Sequence, residues 1–207
     1  MAGSDYLPPV PPPHTPAAAP YQRLDRFRMP PGFRGRPGWY VQLWWVVQAT
    51  LFAWSPQFLY GWRRWLLRRF GARVGRGVIV RPTARVQFPW KVELGEYCWI
   101  GDDVGLYSLG PITVGAHAVV SQRSYLCTGS HRLADPAFPI YAESIIVGPE
   151  CWIATDVYVG PGVTIGRGTL VGARSSVYAD LPPGQICLGN PARVVRPRPR
   201  DSAGHSE

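Results

Sequence analysis

Few side chains in this chain are suited to chemistry. The histidines are His14, His117, His131 and His205, and the cysteines Cys98, Cys127, Cys151 and Cys187. An imidazole, with an ordinary pKa near 6.5, can accept and return a proton at neutral pH. A general base of this kind typically contributes about 10²–10⁴-fold to a rate. No serine or cysteine sits in a local nucleophile motif, so a reaction without a covalent enzyme intermediate is the simpler chemistry. No H-x₃₋₅-H pair is present and His14 and His205 lie in the chain ends, so no metal site is expected. His117 stands at a turn within VGAHAV, an outward-facing corner. His131, in the run TGSH, is the candidate catalytic base, because it lies where a regular pattern breaks.

That pattern is a period of six. Aliphatic residues recur at Val147, Ile153, Val159, Ile165, Val171 and Val177, with Gly or Ala usually following and a small or medium residue four places on. Helices repeat every 3.6 residues and strands every two, so the period reads as a hexapeptide β-helix of stacked coils. Upstream, the triplets Val74/Val80/Val86, Leu94/Ile100/Leu106 and Val114/Val120/Leu126 keep the step. Two extra residues enter after each of the first two triplets, which predicts three faces per coil. The pattern stops at Leu126 and resumes at Val147, so a long loop over 127–146, carrying His131, must leave the solenoid. Cys98 and Cys151 fall on small-residue positions and read as packing residues, reduced in a cytoplasmic protein.

The chain therefore divides into a Pro/Arg-rich flexible arm (1–38), an aromatic and basic helical segment (39–70), the solenoid (71–195) and a C-terminal tail (196–207). Residues 39–54, as a helix of about 24 Å, fall short of the roughly 30 Å bilayer core, so no transmembrane helix is expected. Residues 57–70 combine Trp62 and Trp65 with Arg63, Arg64, Arg68 and Arg69. Such a helix either caps the first coil or lies on an anionic membrane surface, and the two roles are compatible. The formal charge of +9, nearly all arginine, suits phosphates, acidic lipids or anionic sugars. No nucleic-acid reader motif accompanies it, so no nucleic-acid partner is expected. The N-terminus lacks a charged start followed by an apolar run, so no signal peptide is expected.

The stretches RLDRFRMPPGFRG, SPQFLYGWRRWLLRRFGARVG, SQRSYLCTGSHRLADPAFPI and CLGNPARVVRPR, together with the hexapeptides, resemble the left-handed β-helix acyltransferases of the hexapeptide-repeat family. The similarity is greatest to colanic-acid-type exopolysaccharide O-acetyltransferases and covers residues 21 to about 198. It implies an all-β solenoid, a left-handed parallel β-helix, assembled as a homotrimer with active sites between subunits. It also implies transfer of an acetyl group from acetyl-CoA to the hydroxyl of a sugar or lipid-linked oligosaccharide, by a cytoplasmic enzyme, with peripheral placement at the inner face of the membrane left open.

By the same resemblance, Thr128-Gly129-Ser130-His131 carries the catalytic histidine, Thr155 and Ala173 line the pantetheine groove, and Arg193 and Arg196 meet the coenzyme phosphates. For the acceptor, Ser108 occupies the place of an asparagine in related enzymes, and Tyr125, Asp102 and Asp103 are further candidates. Ala179 stands where a donor-binding lysine is common. Two other readings stay open: acetyl transfer to a small hydroxyl compound or foreign molecule, and a non-catalytic hexapeptide scaffold.

Overall fold

The computed structural model describes residues 20–199. Five coils each give one short parallel strand to three sheets. The first face holds Arg73–Val74, Val92–Leu94, Ile112–Val114, Ile145–Val147 and Thr164–Ile165. The second runs Ile79–Val80, Trp99–Ile100, Val119–Val120, Trp152–Ile153 and Leu170–Val171. The third runs Arg85–Val86, Gly105–Tyr107, Tyr125–Cys127, Tyr158–Val159 and Ser176–Val177.

Register puts the periodic aliphatics in vertical columns. On the second face Val80, Ile100, Val120, Ile153, Val171 and Cys187 stack one above another, all buried. The small positions Cys98, Ala118, Cys151, Val157, Thr169 and Ser175 fill the corners from inside. Burial pushes the Cys98 thiol up to about 12, so it is an inert packing group. Each coil covers only its neighbours, which explains why the six-residue pattern has to persist along the chain.

Coils stack closely enough to forbid a side chain at one corner. A Cβ on Gly115 would lie 2.4 Å from the backbone nitrogen of Pro149 in the next coil. We expect Gly115→Ala to destabilise the fold by about 2 kcal/mol, lowering the midpoint of thermal unfolding by roughly 4–8 °C. An unchanged melting curve would contradict this close stacking.

The solenoid is closed at both ends. At its C-terminal end Gln185–Gly189 adds to the second face and Ala192–Pro197 folds back antiparallel on it. The chain beyond 195 was expected to be a tail, but this closing strand extends to Pro197. At the N-terminal end, α1 (Gly38–Val47) runs through a five-residue π segment (Gln48–Phe52), and α2 (Tyr60–Arg69) follows the turn at Pro56. Val41 and Trp44 of α1, Phe52, and Leu66 and Leu67 of α2 are buried against the first coil.

These helices also pair the open strand edge. The Trp44 indole donates to the Val86 carbonyl and Gln48 accepts from the Val86 N–H. Arg63 donates to Val80, Arg64 to Val78 and Arg68 to Val74. An edge left unpaired would recruit another chain, so the capping role weighed for residues 39–70 is the one these bonds perform.

Extra residues gather at the corner joining the third face to the next first-face strand. There Ser108 Oγ accepts from the Phe88 N–H and donates to the Phe88 carbonyl. One coil higher, Thr128 Oγ1 donates to the Tyr107 carbonyl and accepts from the Gly110 N–H. The long excursion springs from this hydroxyl-pinned corner. Part of the basic arm packs beside it: Lys91 donates to the Phe33 carbonyl and Trp90 to that of Arg34. Residues 1–19 and 200–207 lie outside the described residues, including the N-terminal stretch expected to be mobile.

Candidate active site

The excursion, expected only as a loop, is a β-hairpin. Gly129–His131 pairs antiparallel with Ile140–Ala142, setting His131 opposite Ile140. The tip is closed by Asp135, whose Oδ1 accepts from Ala137 N–H and whose carbonyl accepts from Phe138 N–H. The arm buttresses the tip, with Arg23 N–H donating to the Pro136 carbonyl.

His131 is half-buried between two phenyl rings. Phe138 stacks on it with centroids 4.0 Å apart and planes at 8°, and Phe27 approaches at 6.1 Å. Its Nδ1 lies 2.7 Å from the Phe138 carbonyl oxygen. A carbonyl can only accept, so Nδ1 carries the hydrogen of the neutral ring and Nε2 keeps a free lone pair. A base needs that arrangement: one nitrogen anchored, the other open to a substrate proton.

Phe138 holds φ at +52°, a backbone conformation uncommon for a bulky residue. That turn brings its carbonyl and its ring to the same imidazole. Nothing in the sequence pattern marked Phe138 or Phe27 as partners of the histidine. Stacking of this kind is worth about 0.5–1.5 kcal/mol, so we expect Phe138→Ala to lower kcat about three- to tenfold. Acetyl-donor affinity and melting temperature should stay near wild type, since the backbone carbonyl remains. An unaltered kcat would rule out a positioning role for the ring.

The other candidates are distributed over different edges. Thr155 and Ala173 sit at the corner between the second and third faces in successive coils, Thr155 donating to the Gln122 carbonyl and accepting through its own carbonyl from Arg174 N–H. Arg193 and Arg196 are exposed on the closing strand, opposite Leu188 and Ile186, and neither meets a carboxylate among the described residues. His131, in contrast, belongs to the corner at the far edge of the third face. Thr155 and Ala173 are therefore not beside the His131 loop of the same chain.

Of the acceptor candidates, Ser108 is corrected. It is fully buried and its hydroxyl is committed to Phe88 in both directions, so it cannot meet a ligand. Asp102 is engaged too, accepting from Arg81 Nε at 2.8 Å and Thr83 Oγ1 at 3.0 Å. Its neighbour Asp103 is an exposed turn residue. Tyr125 lies on the outer surface of the third face, its ring 5.9 Å from Tyr107. Burial pushes its phenol, and that of Tyr158, up to about 12, so both remain protonated donors at neutral pH. His117 is an exposed corner residue, stacked on Tyr97. Among the described residues no three His, Cys, Asp or Glu side chains gather to hold a metal ion.

Comparison with known proteins agrees with this architecture. The bacterial transferase hexapeptide family (six repeats) matches residues 144–179. The Escherichia coli (strain K12) protein named as a colanic acid biosynthesis acetyltransferase, WcaF, is 60% identical over 177 residues, covering 86% of this chain and 97% of that protein. Among solved structures, the hexapeptide-repeat acetyltransferase VCA0836 of Vibrio cholerae, complexed with acetyl-CoA, superposes with a TM-score of 0.69 at 24% identity, covering 82% of this chain and 88% of that one. A galactoside acetyltransferase in complex with coenzyme A gives a TM-score of 0.71 at 24% identity, covering 82% and 84%. At that identity the likeness to the two structures is one of fold.

Proposed function

The chain belongs to the hexapeptide-repeat acetyltransferases of the colanic acid biosynthesis type, and from that premise we propose that it moves an acetyl group from acetyl-CoA to a sugar hydroxyl with His131 as the base. The observation that carries the reading is the anchored imidazole: Nδ1 donates to the Phe138 carbonyl, so Nε2 is available to the incoming hydroxyl.

His131 takes the hydroxyl proton as the oxygen bonds to the acetyl carbonyl carbon, then returns it to the sulfur that leaves as coenzyme A. No side chain of the protein is acylated. The donor suits the corner bearing Thr155 and Ala173, where small residues admit a narrow arm. Arg193 and Arg196, which meet no carboxylate among the described residues, suit the phosphates, for which the guanidinium fork makes charge-assisted bonds.

Because these groups occupy opposite edges of the third face, a complete site needs the hairpin of one subunit against the coenzyme corner of the next. A trimer provides that closure three times over. Tyr125, on the surface between the two edges, is the acceptor-side residue this arrangement retains.

The test is acceptor-dependent release of coenzyme A. Hexose acceptors should raise release well above the rate with water alone. Preference for a small non-sugar hydroxyl compound would support the alternative substrate instead. Absence of acetyl-CoA binding would exclude the enzyme reading and leave the scaffold.

A further inference from the structure

The capping helices bury only one of their two apolar stripes. Val41 and Trp44 of α1 face the solenoid, whereas Trp39, Leu43 and Val46, spaced at three and four residues, face outward and are exposed. In α2 the inward stripe is Arg63, Leu66 and Leu67, continued by Phe70 just beyond the helix, and the outward one is Trp62, Trp65 and Arg69. Trp62 and Trp65 stack at 5.1 Å, and the Trp62 indole donates to the Leu51 carbonyl, locking the two outward stripes into one surface. Trp54 and Phe58, at the turn between the helices, are 86% and 76% exposed. Capping the solenoid explains the inner stripe and leaves the outer one unused.

Along the segment that forms this surface the charge has one sign. No charged residue occurs from Pro37 to Trp62, and the span from Arg26 to Val92 contains thirteen basic residues and no acidic one. Arg34, Arg36 and Arg69, which are exposed and make none of the capping bonds, meet no carboxylate among the described residues. A second copy docked face to face would set arginine rims against each other, which disfavours a homotypic contact. An anionic bilayer satisfies both features, apolar rings in the headgroup region and arginines against phosphates. Among the described residues no helix is long and apolar enough to cross a membrane.

We propose that the outer face of the α1–α2 cap is a docking surface for anionic phospholipid, holding the protein peripherally with its N-terminal end on the bilayer. Tyr107, Ile140 and Ala142, at the root of the His131 hairpin, pack in the same apolar cluster as Val41 of α1. Docking through the cap therefore sets the hairpin near the headgroups, where a sugar carried on a lipid would present its hydroxyls. That consequence rests on the acetyl-transfer reading; the lipid contact does not.

The test is co-sedimentation of the full-length protein with phosphatidylcholine vesicles, with and without phosphatidylglycerol. Binding should require the anionic lipid and weaken as salt is raised. Trp54→Ser combined with Phe58→Ser, and separately Arg69→Glu, should each lower the partition coefficient about tenfold, with melting temperature unchanged. Transfer to a water-soluble sugar should persist in both variants, so loss of lipid binding is distinguishable from failure of the catalytic reading. The proposal is overturned if wild type ignores anionic vesicles, or if both variants bind them as tightly as wild type. It is equally overturned if light scattering shows the double variant dissociating into smaller species while lipid binding is retained, since the face would then cover another copy.

Discussion

Replacing His131 by alanine is expected to lower kcat for acetyl transfer by about 10²–10⁴-fold, the range that a positioned general base supplies. Acetyl-CoA affinity should stay within about twofold, because the groups proposed to hold the coenzyme are Thr155, Ala173, Arg193 and Arg196, whereas a general base acts chiefly on the transition state. The melting temperature should change little, since His131 is half-buried and its one polar partner, the Phe138 carbonyl, lies at the hairpin tip where water can replace it. The pattern matters more than the size. A purely structural histidine would lose stability and donor affinity together with rate, whereas a base loses rate alone. Phe138→Ala, which removes only the stacked ring, should fall between wild type and His131→Ala.

The second large effect is on the fold and comes from Arg63. This guanidinium is fully buried beneath α2, where Nε donates to Val80, and its other nitrogens to Ser55 Oγ and to the Pro56 and Gln57 carbonyls. Burial lowers its pKa from the usual arginine value, yet the surrounding acceptors hold it charged. Arg63→Ala would leave those buried carbonyls without donors and open a cavity, at a cost of about 3 kcal/mol. Thermal unfolding should move down by roughly 6–12 °C for a chain of this size. Arg63→Lys should recover less than half of the loss, because an ammonium cannot reproduce the planar fork. A melting curve indifferent to both changes would mean that the helices do not cap the first coil.

Both effects bear on what the amino-acid sequence makes legible. The solenoid is readable because its rule is local: an aliphatic residue every six places fixes which side chains enter the core, and Val147 to Val177 obeys it without interruption. The hairpin was visible only as an interruption. Its strands, Gly129–His131 and Ile140–Ala142, are three residues each and carry no alternation strong enough to separate them from irregular loop. His131 could be singled out, but its partners could not, because Phe138 reaches it through a left-handed turn and Phe27 from a segment about a hundred residues away.

Arg63 illustrates a different blindness. Within QFLYGWRRWLLRRF it is one of four similar arginines, and only the three-dimensional edge of the first coil distinguishes the buried one. Ser108 misled for the opposite reason. Its position aligned with a ligand-binding residue in related enzymes, but a hydroxyl is short enough to turn inward and satisfy the corner backbone of Phe88. The separation of Thr155 and Ala173 from His131 depends on which corner each occupies, a matter of coil geometry that spacing alone does not give.

The most direct measurement of the central claim is acetyl transfer itself, followed for wild type and His131→Asn with acetyl-CoA and a hexose acceptor. Mass spectrometry would count acetyl groups on sugar and on protein, beside the free thiol released. The account predicts one acetylated sugar for each coenzyme A released by wild type, no acetyl group retained on the protein, and a rate about 10²–10⁴-fold lower in the variant. Undiminished transfer by His131→Asn, or an acetyl group trapped on a side chain such as Cys127, would contradict it.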